Sequence, residues 1–247
     1  VVRKGVKEYG YEFIGFKDGW RGPLEGLTMK LDIQATRGIL PKGGTILGSS
    51  RTNPFKIENG VERIKENLAN MNIDALIAIG GEDTLGVATK LDSLGVKVIG
   101  VPKTIDNDLP FTDCSPGFGS VAKYVATSTL EAGLDIAAMS ATSTKVFILE
   151  VMGRHAGWIA AASGLAAQKV DQPPHMILFP EVAFERDRFI DQVKKTVESS
   201  GYCVVVASEG VTYADGGLLS GSLVEDAFGH KQLGGVAPAL CSMIKNT

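Results

Sequence analysis

The sequence predicts an α/β fold with doubly wound lobes and mainly parallel sheets, and three observations lead to this prediction. Short apolar runs alternate with stretches of helical periodicity along most of the 247 residues. The runs are apolar at consecutive positions, which is typical of strands that are buried on both faces of a parallel sheet. Two of the runs end in turns rich in glycine or charge, where parallel strands of an open sheet present their ligand-binding loops.

The elements follow from these patterns in chain order. Seven apolar runs are the predicted strands, at residues 11–16, 45–47, 73–79, 96–101, 145–151, 175–179 and 202–207. Apolar residues at helical spacing predict helices over 61–71 and 189–197, and residues 120–139 predict one long helix. A Pro-Gly-Phe-Gly turn precedes the long helix, so we expect one lobe over residues 1–119 and a second over 120–247.

Composition narrows the classes of partner. The net charge is −3 and the pI is about 5.7, so there is no overall basic field to attract nucleic acid or an anionic membrane. No signal peptide or bilayer-length apolar stretch is visible, and we expect a cytoplasmic protein that binds small molecules.

The three cysteines lack CxxC spacing and are predicted to be reduced and structural. The three histidines, His155, His175 and His230, lack metal partners at useful spacing and are also predicted to be structural.

The turn at residues 103–108 (Lys-Thr-Ile-Asp-Asn-Asp) directly follows a predicted strand. Asp106 is the natural general base, because a carboxylate near a lysine can accept a hydroxyl proton while Lys103 balances the charge. Thr104 can orient a phosphate or the hydroxyl. The alternative is an Asx-rich turn whose side chains bind their own backbone. Pro102 at the strand end and the excess of charge favour the functional interpretation.

A second turn, at residues 80–84 (Gly-Gly-Glu-Asp-Thr), follows the strand predicted at 73–79. Gly80 and Gly81 allow backbone amides to approach a phosphate, and Thr84 can add a hydroxyl. Glu82 and Asp83 supply the hard oxygen ligands that Mg²⁺ prefers. A tight strand-to-helix turn with no ligand explains the same residues, and both interpretations remain open.

Three further polar residues follow predicted strands. Arg51 comes after residues 43–50, which are rich in glycine and hydroxyl groups, and is either a bidentate phosphate clamp or a surface salt-bridge residue. Arg154 follows the strand at 145–151. Glu209 follows the strand at 202–207 and can accept hydrogen bonds from sugar hydroxyls.

Four segments together resemble the phosphofructokinase family. They are residues 44–51 (Gly-Thr-Ile-Leu-Gly-Ser-Ser-Arg), 80–84, 102–108 (Pro-Lys-Thr-Ile-Asp-Asn-Asp) and 150–154 (Glu-Val-Met-Gly-Arg). They occur in the family's order, and the resemblance extends over essentially the whole chain. It implies two similar doubly wound lobes, in which 1–119 binds the phosphoryl donor and 120–247 the sugar phosphate. It also implies Mg²⁺-dependent phosphoryl transfer to the 1-hydroxyl of fructose 6-phosphate in glycolysis.

The resemblance assigns roles to the residues that match its motifs. Asp106 resembles the base that removes the hydroxyl proton, and Thr104 and Asp108 lie beside it in the motif. Glu82 stands at the family's acidic metal-site position, and Arg51 resembles the arginine that spans the transferring phosphates.

The sugar-phosphate contacts are also implied by the resemblance. Met152, Gly153, Arg154 and Glu209 match positions that bind fructose 6-phosphate. Lys145 matches a basic position that reaches the 6-phosphate from a neighbouring subunit, which implies a homodimer or homotetramer with shared sites.

Asp83 and Lys103 bear on the phosphate donor. In ATP-using relatives the matching residues are typically both glycine, which leaves room for the nucleotide. A carboxylate about 4 Å from an α-phosphate charge costs roughly 4 kcal/mol at an effective dielectric constant of about 20. Lys103 can stabilise charge on a leaving phosphate. The pair resembles the pyrophosphate-dependent branch, so pyrophosphate is the predicted donor and the reaction is expected to be reversible.

Other hypotheses remain open. They are an ATP-dependent phosphofructokinase that tolerates Asp83, and a non-catalytic regulatory homologue. An NAD or lipid kinase would share only the Gly-Gly turn, and an oxidoreductase is disfavoured because no G-x-G-x-x-G follows a strand. The family's N-terminal Gly-Gly-Asp-x-Pro-Gly loop is absent, and residues 232–235 lack the arginine of its Gln-Arg-Gly-Gly segment. We therefore expect a fragment that lacks both ends of a longer protein.

Overall fold

The computed structural model describes residues 1–220, 227–229 and 233–246, so His230 and Gln232 lie outside this part of the chain. The strands of the described residues are β1 (Ile14–Phe16), β2 (Thr28–Lys30), β3 (Leu76–Gly80), β4 (Val98–Pro102), β5 (Val146–Val151), β6 (Met176–Leu178) and β7 (Cys203–Ser208). Their helices are α1 (Val2–Tyr9), α2 (Arg21–Glu25), α3 (Gly60–Asn70), α4 (Glu82–Ser93), α5 (Phe118–Met139), α6 (Trp158–Ala162), α7 (Arg186–Ser200) and α8 (Val236–Lys245). Within the described ranges, no helix is both long enough and apolar enough to cross a membrane.

The described residues form two compact units. Unit 1 contains residues 1–101 and 227–229, and unit 2 contains residues 102–220 and 233–246. The division falls after Val101 rather than after Gly119, so the turn at 103–108 belongs to unit 2. A parallel bridge between Thr104 and Gly117 gives the physical reason, because it joins this turn to the segment that begins α5. The ligand-binding roles of the two lobes stay predictions.

Unit 2 is built on a parallel sheet with the strand order β5-β7-β6. β5 and β7 pair from Val146 with Cys203 to Val151 with Ser208, and β6 pairs with the other edge of β7. Every residue of β7 is buried, as expected for a central strand whose two faces are covered. The predicted α/β class with parallel sheets is confirmed here.

Unit 1 covers its strands less completely. β3 pairs with β4, and the buried face of β3 joins a core that includes Ile64, Leu91 and Trp20. On the other face Ile77 and Ile79 are 40% and 51% exposed. Coverage on both faces, which the apolar runs predicted, therefore holds for β7 and not for β3.

Three predicted helices are present, as α3, α5 and α7, whereas one predicted strand is not. Residues 45–47 form no strand, because Gly44 and Gly48 take positive φ angles of 78° and 76° and the Leu47 amide donates to the Thr45 hydroxyl at 3.1 Å. β2, which has no counterpart among the predicted strands, pairs antiparallel with β1. The short apolar run was therefore misinterpreted, since a local turn takes its place.

Candidate active site

The turn after β4 is stabilised by its own side chains. The Asp106 amide donates to the Thr104 hydroxyl at 3.1 Å. Asn107 takes a φ of 55°, accepts from the Ser115 amide at 2.8 Å and donates to the Asp113 carbonyl at 3.2 Å. These bonds reach six and eight residues along the chain, whereas an Asx turn bonds the backbone two residues on, so the Asx-turn interpretation does not describe Asn107. Nor does it explain Asp106, whose Oδ1 is buried without a hydrogen-bond partner among the described residues.

Asp106 lies in an electrostatic environment that suits a base. Burial raises the pKa of this carboxyl above its ordinary value of 3.8, and the nearby carboxylates of Asp108 and Glu209 raise it further. Arg154 acts in the opposite direction. Because a base works best when its pKa approaches the working pH, this environment makes Asp106 a better proton acceptor than an exposed aspartate. The same interactions bring four of the predicted site residues together within unit 2.

The loops after β5 and β7 are joined to each other. The Glu209 amide donates to the Val151 carbonyl at 2.8 Å, which extends the pairing of the two strands by one residue. The Ser208 hydroxyl donates to the Gly153 carbonyl and accepts from the Gly210 amide at 3.2 Å. These bonds fix the segment that carries Met152, Gly153 and Arg154 beside Glu209.

Two glycines permit this close approach. A Cβ on Gly210 would lie 2.0 Å from the Arg154 carbonyl oxygen, so the two loop backbones are in direct contact. Gly153 takes a φ of 130°, and a Cβ there would lie 2.5 Å from the Ala156 carbonyl. Ser208 and Gly210 were not predicted as site residues. The available signal was a polar residue at the end of an otherwise apolar strand, followed two residues later by glycine.

Glu150, the first residue of the Glu-Val-Met-Gly-Arg motif, has a structural role. Its carboxylate accepts from the Gly235 amide at 3.0 Å and from the Ala237 amide at 2.9 Å. These amides lie at the N-terminus of α8, where negative charge is favourable. Glu150 thereby anchors α8 to β5, which ends at the next residue, Val151.

Lys145 lies apart from the other predicted sugar-phosphate contacts. It is exposed and immediately precedes β5, whereas Met152 immediately follows that strand. Seven residue steps along a strand separate the two by roughly 20 Å. The structure therefore places Lys145 at the amino-terminal end of the parallel strands, whereas Met152, Arg154 and Glu209 lie at their carboxyl-terminal end.

The Gly-Gly turn of unit 1 begins α4. A Cβ on Gly80 would lie 2.5 Å from the Thr84 hydroxyl oxygen, so the strand end packs directly on the first turn of the helix. The Leu85 amide donates to the Gly81 carbonyl at 3.0 Å, and Glu82 is exposed at the first helical position. The tight-turn interpretation is thus correct as geometry, and it leaves Glu82 accessible to a ligand.

Arg51 and Asp83 form an ion pair. Arg51 Nη1 lies 3.7 Å from Asp83 Oδ2, with the arginine side chain 71% exposed and the aspartate 29% exposed. The backbone before Arg51 is held by Asp18, which lies 32 residues before Ser50 in the chain. The Ser50 hydroxyl donates to the Asp18 carbonyl at 2.6 Å. The Asp18 amide in turn donates to the Leu47 carbonyl at 2.7 Å. This support from Asp18 was not predicted from the sequence.

The described residues offer limited metal ligands. Across these residues, no three His, Cys, Asp or Glu side chains are grouped to hold a metal ion. Mg²⁺ in phosphoryl-transfer sites often uses only one or two carboxylates, together with substrate phosphates and water. The exposed carboxylate of Glu82 fits the part of a single protein ligand.

Cys203 and His175 fit structural roles, whereas Cys114 and Cys241 are exposed. The three cysteines are free, and burial raises the pKa of Cys203 to about 12, so this thiol stays protonated. His175 Nδ1 accepts from the Val204 amide at 3.0 Å, which fixes the neutral ring against the central strand. Neither residue is available for chemistry in the loops described above.

The family model, the curated proteins and the solved structures that resemble this chain all point to one family. The family model described as "Phosphofructokinase" matches residues 1–245. A pyrophosphate–fructose 6-phosphate 1-phosphotransferase of Streptomyces coelicolor is 50% identical over 99% of this chain and 69% of its own length. An ATP-dependent 6-phosphofructokinase 3 of the same organism is 41% identical over 97% of this chain and 68% of its own length. The solved pyrophosphate-dependent phosphofructokinase of Marinobacter aquaeolei is 45% identical, with a TM-score of 0.80, over 99% of this chain and 59% of that one. The chain belongs to the phosphofructokinase family.

Proposed function

We propose that the protein transfers a phosphoryl group from pyrophosphate to the 1-hydroxyl of fructose 6-phosphate, giving fructose 1,6-bisphosphate and orthophosphate. The observation that carries the proposal is the buried, unpartnered Oδ1 of Asp106 in a site that raises the pKa of this carboxyl. Such an oxygen is suited to receive the proton of a substrate hydroxyl. The name of the 50% identical relative supports the same reaction.

The proposed reaction is a direct transfer between two oxygen atoms. Asp106 accepts the proton of the 1-hydroxyl while the sugar oxygen attacks one phosphorus atom of pyrophosphate. The bond between that phosphorus and the bridging oxygen breaks, and the second phosphate leaves as orthophosphate. Thr104 orients the reacting groups, and Asp108 keeps the Asp106 pKa high. Because a phosphoanhydride is exchanged for a phosphate ester with release of orthophosphate, we expect the reaction to lie closer to equilibrium than transfer from ATP, and we propose that it is reversible.

Cationic groups stabilise the negative charge that moves during transfer. We assign Lys103 to the leaving phosphate and Arg51 to the transferring phosphates, with Gly80, Gly81 and Thr84 as further phosphate contacts. Asp83 holds Arg51 through the ion pair at 3.7 Å. Its carboxylate also disfavours an α-phosphate, and with Lys103 it selects pyrophosphate over ATP.

Mg²⁺ is the proposed cofactor, with Glu82 as its protein ligand. Glu82 would hold Mg²⁺, which would neutralise part of the phosphate charge during transfer. The exposed position of Glu82 at the start of α4 supports this assignment.

We assign the sugar phosphate to the joined loops of unit 2, with Met152, Gly153, Arg154 and Glu209 as its contacts. Lys145 lies at the amino-terminal end of the strands, so we propose that it serves the site of a neighbouring subunit in a homodimer or homotetramer. A place in glycolysis and a cytoplasmic location are part of the same proposal.

A donor comparison tests the proposal, in the whole protein in which this sequence occurs. Fructose 6-phosphate is supplied with either pyrophosphate or ATP, and fructose 1,6-bisphosphate is measured in the presence of Mg²⁺. We expect a much higher kcat/KM with pyrophosphate. Turnover with ATP that is at least as efficient would favour the second candidate, an ATP-dependent phosphofructokinase. The 41% identical relative with that name supports this alternative.

A further inference from the structure

Ser208 is unlike the rest of its strand. The other residues of β7 are cysteine, valine and alanine, and Ser208 is a polar residue with 0% exposure at its carboxyl end. A buried hydroxyl destabilises the fold unless it is hydrogen-bonded. Serine at this position therefore needs an explanation that packing alone does not supply.

The hydrogen-bond partners of Ser208 explain why a serine lies at this position. Its hydroxyl donates to the Gly153 carbonyl, 55 residues earlier in the chain, and accepts from the Gly210 amide. A hydroxyl can donate and accept at once, so one side chain joins two loops that are remote in sequence. One loop carries Arg154 and the other carries Glu209.

Another buried serine shows that this arrangement is specific. Ser163 is also 0% exposed, and its hydroxyl donates to the Ala160 carbonyl at 2.6 Å. That bond spans three residues within one helical segment and joins nothing remote. The two serines thus have equal burial and a similar donor bond, and they differ in what the bond connects.

We propose that Ser208 is a positioning residue for the sugar phosphate: its hydroxyl fixes the loop after β5 against the loop after β7 and so sets the separation of Arg154 and Glu209. This inference rests on the proposed function, in which both residues bind fructose 6-phosphate. Ser208 itself does not touch the substrate.

The positions of the two loops also affect the pKa of Asp106. Glu209 raises the pKa of Asp106 and Arg154 lowers it, so the balance depends on where the two loops hold these side chains. A change in the loops moves the acid limb of the pH profile as well as substrate affinity. Asp108, the other charged group acting on Asp106, lies in the turn after β4 and is not held by Ser208.

The test compares Ser208→Ala with Ser163→Ala in the whole protein. Ser208→Ala leaves the Gly153 carbonyl and the Gly210 amide without the hydroxyl. We expect the KM for fructose 6-phosphate to rise about tenfold, because small misplacements of binding groups are costly. The KM for pyrophosphate should change less than about twofold, since the loops of unit 1 are untouched. Ser163→Ala should leave both KM values and the acid limb unchanged.

Two further variants keep the test decisive. Ser208→Thr retains the hydroxyl and should restore most of the affinity. Ser208→Cys keeps the volume with a weakly bonding thiol, and it replaces Ser208→Ala if thermal melting shows that the alanine variant does not fold.

The outcomes separate the two proposals. In a parent enzyme that transfers phosphate from pyrophosphate to fructose 6-phosphate, equal KM values in the Ser208→Ala and Ser163→Ala variants would overturn the role of Ser208 alone. Equal rises in the KM values for both substrates would overturn it as well. A parent that neither binds nor phosphorylates fructose 6-phosphate would overturn the proposed function together with this inference.

Discussion

The two units support the candidate site in different ways. In unit 1, Arg51 and Asp83 meet as a partly exposed ion pair at 3.7 Å. In unit 2, buried Asn107 bonds backbone groups further along its own loop, and buried Ser208 bonds the Gly153 carbonyl of another loop. Exposed ion pairs contribute little to stability, whereas buried hydrogen bonds are costly to break.

This difference indicates which property can change most easily. The charges of Arg51 and Asp83 can be replaced with little effect on the fold, so the proposed selection of the phosphate donor is open to substitution. The loops of unit 2 depend on buried groups that also set their geometry, so the proposed sugar-phosphate site is tied to the fold.

Asp106→Asn should abolish most of the activity. The amide keeps the shape of the side chain but cannot accept the hydroxyl proton, and we expect kcat to fall roughly 10³- to 10⁴-fold, at the upper end for a general base. The measurement is turnover of fructose 6-phosphate and pyrophosphate in the whole protein. Retention of most of the turnover would remove Asp106 from its assigned role.

The same variant should be more stable than the parent at neutral pH. The folded pKa of Asp106 is raised, so the folded state binds this proton more tightly than the unfolded state does. Its contribution to stability is present below the unfolded pKa of 3.8 and is lost as the pH rises through the folded pKa. Denaturant unfolding should show a gain for Asp106→Asn at pH 7 that vanishes in acid. The exposed Asp135→Asn in the same unit should show no such gain.

Replacing Asp83 and Lys103 together by glycine should shift the donor preference. The change removes the carboxylate that disfavours an α-phosphate and the cation assigned to the leaving phosphate. Because both side chains are partly solvated, we expect a shift of about 10²-fold in the ratio of kcat/KM for ATP to that for pyrophosphate, less than the full Coulomb figure.

A matched control lies at the other ends of the same strands. Asp74 precedes β3 and Lys97 precedes β4, whereas Asp83 and Lys103 follow these strands, and Asp74 and Lys97 are exposed. Asp74→Gly with Lys97→Gly removes the same pair of charges away from the turns. An equal change in donor ratio in this control would show that the effect is not specific to Asp83 and Lys103.

Asn107→Gly tests the buried support of the Asp106 turn. Glycine accepts the φ of 55° but loses the bonds to the Ser115 amide and the Asp113 carbonyl. Leaving the buried Ser115 amide without its partner should lower the free energy of unfolding by about 1–3 kcal/mol. The loosened turn should also lower kcat about tenfold. Both are measured by denaturant unfolding and steady-state turnover.

Asn72 provides the control for backbone conformation. It has a φ of 53° and is exposed, so Asn72→Gly changes the same residue type in the same region of φ. We expect its effect on unfolding to stay within about 0.5 kcal/mol. A loss as large as that of Asn107→Gly would mean that the left-handed backbone, and not the side-chain bonds, explains the result.

Much of the fold and the candidate base could be predicted from local sequence. A strand of consecutive apolar residues such as β7, or a charged turn such as 103–108, is visible within a few positions because its signal is the periodicity or charge of neighbouring residues. That is why Asp106 was identified. Residues 45–47 misled for the same reason, since a short apolar run carries no information on the glycine φ angles beside it.

The contacts that organise the site could not be predicted in this way. The Ser208 bond to Gly153 joins positions 55 residues apart, and the bonds from Glu150 to the start of α8 span 85 and 87 residues. The first pair depends on the register of β5 with β7, and the second depends on the packing of α8 against β5. Local patterns specify neither. The position of Lys145 at the amino-terminal end of the strands likewise follows from the direction of β5 and not from the residue type.

The smallest predicted effect concerns His175 in unit 2. Burial lowers the pKa of this ring below 6.5, with Asp171 opposing the shift, and Nδ1 accepts from the Val204 amide. Protonation would turn that acceptor into a donor, so the folded state disfavours the charged ring. The stability from the neutral ring is present above pH 6.5 and falls as the pH drops through the folded pKa. We therefore expect the thermal midpoint of the parent to decline between pH 8 and pH 5 relative to His175→Gln, whose amide oxygen can still accept from Val204. Parallel curves for the two proteins would show that the His175 bond to the central strand adds no pH-dependent stability to unit 2.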